Sequence, residues 1–370
     1  MSELYLGLMS GTSMDGIDAA LVDFSNTTPQ LIDFQTYKYP PHLLEQLHQL
    51  CQSSDNEIVH MGEADRIVGR VFAQAVNKLL EHNNILPSQV RAIGSHGQTI
   101  RHHPGGAQGF SLQIGDANTI AVLTGIDVIA DFRRKDVALG GQGAPLTPAF
   151  HQAVFSDHHQ SRVVLNIGGI ANITYLPADK NKPILGFDTG PGNTLLDVWC
   201  KTHTGKAFDE KGAWAAGGVV DPMLLKGLLS HPYFAETAPK STGREAFNLN
   251  WLQQQIATLP HVIDEHSVQA TLVMLTCHSI ARQVNLLEDV QQLYVCGGGA
   301  QNDFMMECLE NELFDCELFN TDELGIHPDA VEAMAFAWFA YAHQHKLAGN
   351  IPSVTGARRG AVLGAAFPAL

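Results

Sequence analysis

The sequence predicts an α/β protein built from two related domains. Three observations carry that expectation. Apolar, β-prone runs alternate with stretches of helical period along most of the chain. Two hairpins share one design, apolar strand then glycine turn then second strand, at 3–24 and at 162–177 ("RVVLNIGGIANITYLP"), about one domain length apart. A later strand, "QQLYVCGGG", runs through bare glycines into a helix.

The elements follow in order. Residues 3–9 and 17–24 flank the turn "SGTSMDG" and read as a hairpin. Over 65–81, Val68, Phe72, Val76 and Leu80 recur at four-residue steps, beside Val71, Ala75 and Leu79, the pattern of an amphipathic helix. "VRAIGSHGQT" reads as a strand passing into a loop that carries His96 and Gln98. "FSLQIGD" is another strand, and Asp116 can cap a helix that ends at Gly125. "IDVIADFRRKD" is a buried strand whose end presents Asp131, Arg133 and Arg134. The stretch 138–148, "ALGGQGAPLTP", is rich in glycine and proline and reads as a boundary or hinge. The expected domains are therefore 1–135 and 136–370, with the tail 346–370 packing back on the first. "GFDTGPGNTLLDVW" follows as strand, glycine loop and helix, with Asn193 or Thr194 near the cap. A long helix over 269–287 and one from about Asn302 come next. "DAVEAMAFAWFAYAHQ" is apolar nearly all round, so its helix belongs in a core.

Composition narrows the function. Of 370 residues, 45% are apolar and 16% charged, enough to fill sizeable cores. The net charge of −16 argues against nonspecific binding to nucleic acid or anionic membrane. A phosphate ligand would have to be held mostly by backbone N–H groups and a metal. The first residues lack a basic region followed by an apolar run, so no signal peptide is expected. "AVEAMAFAWFAYA" is too short for a membrane span, which needs about 20 residues. The six cysteines show no CxxC spacing, which suits free thiols in a reducing cytoplasm. The 18 histidines show no HExxH, and adjacent pairs such as His102–His103 converge poorly on one ion, so no structural zinc is expected.

The first turn poses a choice. GTSM also surrounds the nucleophilic serine of subtilisin-like peptidases, and Ser13, His96 and Asp131 or Asp188 can be drawn as a triad. In that fold the order is Asp, His, Ser and the serine opens a helix; here the order is reversed and Ser13 lies between strands. As a cradle the turn makes better sense. Consecutive N–H groups can face an anion, Thr12 and Ser13 add hydroxyl donors, and Gly11 and Gly16 allow close approach. Asp15 would repel a bare phosphate but suits one carrying Mg²⁺. Gly168, Gly169 and Asn172 offer the same design in the second hairpin. Gly297, Gly298 and Gly299 leave room for a base or ribose. Neither GxxxxGK[ST] nor GxGxxG is present, so the Walker-type and Rossmann cradles do not apply. Two matching hairpins followed by strand–GGG–helix is the order of the sugar-kinase, Hsp70 and actin superfamily, in which two related domains close over a nucleotide in an interdomain cleft.

Taken together, "GLMSGTSMDGIDAALVDF", "GSHGQT", "IADFRRKDVALGGQGAPL", "LNIGGIANIT", "GFDTGPGN", "VCGGGAQN" and "AVEAMAFAW" resemble the bacterial anhydro-N-acetylmuramic acid kinase family over nearly the whole chain. The resemblance implies the actin-like ATPase fold and an activity that opens a 1,6-anhydro sugar with water while phosphorylating O6 from ATP. It implies that Gly11, Thr12, Ser13, Met14, Asp15, Gly16, Ile17 and Asp18 hold the ATP phosphates. Gly168, Gly169, Asn172 and the glycines at 297–299 would take further phosphate and the adenosine, with Asp188 as catalytic base. His96, Gln98, Arg133 and Glu332 would line the sugar pocket, Arg133 facing the lactyl carboxylate. Mg²⁺ would accompany ATP near Asp15 and Asp188, with no direct ligand assigned. Homodimerisation stays open. A second reading of the same loops is an actin-like ATP-binding protein whose nucleotide drives partner binding.

Overall fold

The computed structural model describes residues 2–370 apart from 12, 13, 15 and 54. The chain divides into two compact units, Met1–Val154 with Gly325–Leu370, and Phe155–Leu324. The first runs through β1 (Leu4–Ser10), β2 (Ile17–Asp23), β3 (Gln30–Tyr37), α1 (Pro41–Leu50), α2 (Glu57–His82), β4 (Val90–His103), β5 (Phe110–Ile114), α3 (Ala117–Thr124), β6 (Val128–Ala130), α4 (Arg133–Ala138) and α5 (Thr147–Phe155). The second holds β7 (Ser161–Ile167), β8 (Ile170–Leu176), β9 (Leu185–Pro191), α6 (Asn193–Thr204), α7 (Pro222–Leu229), α8 (Leu249–Ala257), α9 (Glu265–Val284), β10 (Val290–Cys296), α10 (Asp303–Glu312) and β11 (Glu317–Asn320). The chain then returns to the first unit with α11 (Val331–Gln344), α12 (Pro352–Thr355) and β12 (Ala365–Phe367).

Each unit has one mixed sheet, and the two sheets share a plan. The orders are β12-β6-β4-β1-β2-β3, with β5 on β4, and β11-β10-β7-β8-β9. In the first, β1 pairs antiparallel with β2 and β2 with β3, while β4 runs parallel to β1 and β6 parallel to β4. In the second, β7, β8, β9, β10 and β11 repeat those four relations. The likeness of the two hairpins in sequence is thus the visible part of a repeated half-fold.

The first unit packs α2 and α11 against its sheet. β1 is buried along its whole length, as a strand covered on both faces must be. Small residues let α11 approach: a Cβ on Gly7 would lie 1.8 Å from the Ala333 carbonyl oxygen, and one on Gly94 1.8 Å from that of Phe336. Phe336, Phe339 and Phe132 fill the space between helix and strands. In the second unit α9 lies on the sheet, with Leu272, Leu275 and Ile280 meeting Val163, Leu165 and Ile173 in one core.

Some elements differ from expectation. "GSHGQT" is not a loop. β4 continues through it for 14 residues, because Gln98 pairs with Ser10 of β1 on one side and Ile114 of β5 on the other. The expected boundary at 135/136 falls inside α4, and the glycine-rich stretch 138–148 lies within the first unit. Asp136, fully buried, fixes that stretch: its carboxylate accepts from Gly143 N at 2.8 Å, Asn350 Nδ2 at 2.6 Å and Thr355 Oγ1 at 2.8 Å. The tail adds β12 antiparallel to β6. No helix among the described residues is long and apolar enough to cross a membrane.

Candidate active site

In the first unit the site residues gather where β1 and β6 end, beside the middle of β4; strand ends are the usual place for ligands in open α/β sheets. Thr12, Ser13 and Asp15 lie outside the described residues. The rest of that turn is anchored from behind. Met14 N donates to the Gly11 carbonyl, and Met14 takes φ of 58°. The single Ser10 hydroxyl hydrogen is shared between two acceptors, the Gly16 carbonyl at 2.9 Å and Gln98 Oε1 at 2.7 Å from Oγ. Gln98 Nε2 reaches the Gly11 carbonyl at 3.1 Å, and the Tyr39 hydroxyl donates to Gln98 Oε1. Gln98 is fully buried, so it holds the turn rather than meeting a ligand. Ile17 is also fully buried and belongs to the core. Asp18, in β2, accepts from Thr36 Oγ1 at 2.6 Å.

His96 is buried with both ring nitrogens spent. Arg133 Nη2 and Nε lie 2.9 and 3.3 Å from Nε2. A guanidinium only donates, so Nε2 must accept. Nδ1 therefore carries the hydrogen and donates to the Ser10 carbonyl at 3.1 Å. Burial, helped by the Arg133 charge, pushes the His96 pKa down to about 3. Arg133 also donates from Nη1 to the Gly143 carbonyl at 2.8 Å. That leaves two of its five N–H groups, one on each terminal nitrogen, as an open fork. Burial pulls its pKa to about 10, with Glu332 and Asp136 opposing, so it stays charged at neutral pH. Half-buried Glu332, in the first turn of α11, has its carboxyl raised by burial and by Asp18, against Arg133. The structure thus brings His96, Arg133 and Glu332 together.

Because His96 prefers to be neutral when folded, its contribution to stability is complete above about pH 6.5. It is lost as pH falls from there towards 3, where the unfolded chain takes up a proton that the folded one refuses. In ¹⁵N-histidine spectra His96 should remain the neutral Nδ1–H tautomer at pH 5. A charged ring at that pH would contradict the arrangement.

In the second unit Asp188 lies on β9 opposite Asn172, which lies opposite Asn166, which lies opposite Cys296. Asp188 is half-buried and clasped by a segment between α7 and α8. Its N–H donates to the Lys240 carbonyl at 3.1 Å, and its carbonyl accepts from the Tyr233 hydroxyl at 2.6 Å. One carboxylate oxygen accepts from Thr242 N at 3.0 Å. Burial raises the carboxyl's pKa, while that bond and one from Ser241 hold it down. The turn Gly168–Gly169 is tied by its carbonyls to the start of α6: Gly192 N and Thr194 N donate to Gly169, and Asn193 N to Gly168. The N-cap is Gly192, and Asn193 and Thr194 follow it directly, near the cap as expected. Of the later glycines, Gly297 (φ 79°) and Gly299 are required by packing, since a Cβ would meet Asn166 Oδ1 or Ile167 at 2.3 Å. Gly298 is exposed with open space beside it.

A model of the anhydro-N-acetylmuramic acid kinase family matches residues 3–369. The chain belongs to that family. Relatives named anhydro-N-acetylmuramic acid kinase include those of Shewanella denitrificans and Shewanella amazonensis, each 57% identical over 99% of both chains. Among solved structures, component A of the Acidaminococcus fermentans (R)-2-hydroxyglutaryl-CoA dehydratase matches with TM-score 0.50 at 12% identity, covering 93% of this chain and 100% of that one. This likeness shows the fold alone. That fold is a two-sheet α/β type whose two units repeat one five-strand plan. For a kinase of this family the segment Lys240–Arg244, "KSTGR", is the part that sequence reading passes over. It lies in a loop with no strand before it, and its Ser, Thr and Gly read as ordinary turn residues. The signal available was a cluster of donors and cations in a chain poor in cations.

Proposed function

We infer that the chain catalyses ATP-dependent opening of anhydro-N-acetylmuramic acid, giving N-acetylmuramic acid 6-phosphate in peptidoglycan recycling in the cytoplasm. The observation that carries the chemistry is Asp188, a half-buried carboxylate oriented through both its backbone and its side chain. Water is a poor nucleophile until a carboxylate takes its proton, which contributes typically 10²–10⁴-fold. Asp188 takes that proton as the water oxygen bonds to the anomeric carbon. The bond from that carbon to O6 breaks, O6 bonds to the γ-phosphorus, and ADP leaves with the former bridging oxygen. Asp188 then returns the proton to solvent. O6 departs as a developing alkoxide that the phosphoryl group captures, so no separate acid is needed.

Family membership and the placement of the residues support the other roles. In the first unit the 11–16 turn takes ATP phosphate, and the open fork of Arg133 takes the lactyl carboxylate. Glu332 accepts from sugar hydroxyls. His96 and Gln98 act one step back, on Arg133 and on the turn. In the second unit Gly168, Gly169, Asn172 and Gly298 take phosphate and nucleoside. Mg²⁺ would come with ATP and neutralise its phosphates. Among the described residues no three His, Cys, Asp or Glu side chains gather to cage a metal. Such an ion is held chiefly by phosphate and water, with Asp15 and Asp188 the nearest carboxylates expected.

ATP turnover should require the anhydro sugar. With ¹⁸O-water the label should enter at the anomeric carbon and stay out of the transferred phosphate. Turnover without sugar would favour the nucleotide-driven switch, and label in the phosphate would mean that water attacked phosphorus.

A further inference from the structure

The roles above leave the transferred phosphate short of protein positive charge in the second unit. We propose that Arg244, with the N–H groups of Gly168 and Gly169, forms the binding site for the phosphoryl group in transit. The proposal rests on the kinase reading and adds a residue to it.

Three observations lead there. First, the Gly168–Gly169 turn is polarised. Its carbonyls are consumed by the N–H groups of Gly192, Asn193 and Thr194 and by Thr194 Oγ1 at 2.8 Å, so the N–H edge is left out of that network. That arrangement also cancels the start of α6 as an anion site, since its first N–H groups are already satisfied. Second, the guanidinium of Arg244 lies against this turn: a Cβ on Gly169 would come within 3.2 Å of Nη2 and 3.5 Å of Nε. Arg244 is exposed, and the neighbouring Glu245 carboxylate folds back over Gly243. Third, Arg244 follows two residues after Thr242, which grips the Asp188 carboxylate.

The loop is stiff where that matters. Lys240 is buried, donates from Nζ to the Tyr233 carbonyl at 3.1 Å and sits 4.4 Å from the centre of the Tyr233 ring. Tyr233 in turn donates to the Asp188 backbone. A single braced segment thus fixes the base and carries the cation. Planar N–H donors on Arg244 and two backbone N–H groups give the convergent, charge-assisted set that a phosphoryl group needs. Transfer depends on positioning and charge neutralisation, and both would come from this segment.

The test is Arg244→Gln, with Arg244→Lys beside it. Arg244 is exposed, so both variants should fold, checked by circular dichroism. Arg244→Gln should raise the KM for ATP by about 10-fold or more and weaken inhibition by inorganic tripolyphosphate equally, leaving sugar KM and adenosine affinity unchanged. Arg244→Lys should recover part of the loss. Unchanged tripolyphosphate affinity in Arg244→Gln would overturn the proposal. If wild type shows no sugar-dependent turnover yet Arg244→Gln loses tripolyphosphate affinity, the anion site stands and the sugar-kinase reading falls.

Discussion

Asp188→Asn should lower turnover by roughly 10²-fold or more, the scale of a lost general base, with sugar and ATP affinity nearly intact. The substitution keeps size and shape, and the asparagine carbonyl can still accept from Thr242 N. The backbone clamp from Lys240 and Tyr233 does not depend on the side chain. What disappears is the capacity to take a proton. The pH profile gives a second readout. Burial raises the Asp188 carboxyl, so the acid limb of kcat/KM should lie above that of an ordinary aspartate, near 4. Activity is present above that pKa and falls as pH drops through it. Ser241→Ala removes a bond that favours the carboxylate and should move the limb further up. Near-normal turnover by Asp188→Asn would shift the base elsewhere, with Glu332 the next residue to replace.

The same residue shows what a sequence can carry. Asp188 was legible because it ends a β-prone run before a glycine loop, a local signal. Its clamp was not, because Tyr233 and Lys240–Thr242 stand more than 40 residues downstream and no spacing announces that they return to it. The repeated hairpins were legible for the same local reason. The extent of the repeat, five strands with matching directions, needed the pairings. His96 and Gln98 were found as a pair, but their role could not be read from a polar pattern in "GSHGQT". Such a pattern does not distinguish residues that meet a ligand from residues spent on Ser10, Gly11 and Arg133. The glycines of 138–148 suggested freedom. Asp136 gives them the opposite, since a Cβ on Gly141 would lie 2.2 Å from its carboxylate oxygen.

Arg133→Met should raise the KM for the lactyl-bearing sugar by roughly 10- to 100-fold, the loss expected when charge-assisted bonds worth about 1.5–3 kcal/mol go. ATP affinity should change little. The decisive comparison is with the same anhydro sugar lacking the lactyl group. Wild type should discriminate strongly between the two, and Arg133→Met should not; persistent discrimination would place the carboxylate elsewhere. The variant has a signature independent of activity. Burial contributes most to the low pKa of His96 and the Arg133 charge adds to it. Removing the charge should therefore let His96 titrate at higher pH, visible in its ring ¹⁵N shifts, and free Nε2 of the donor that fixes its tautomer. Glu332 moves the same way. Its carboxyl, already raised by burial and by Asp18, loses the one cation that opposes them and should protonate more readily. Arg133→Lys would keep a charge but lose the fork. It should restore the His96 titration in part and the sugar discrimination much less, because recognition needs two N–H groups in one plane whereas the electrostatic effect needs only a nearby positive charge.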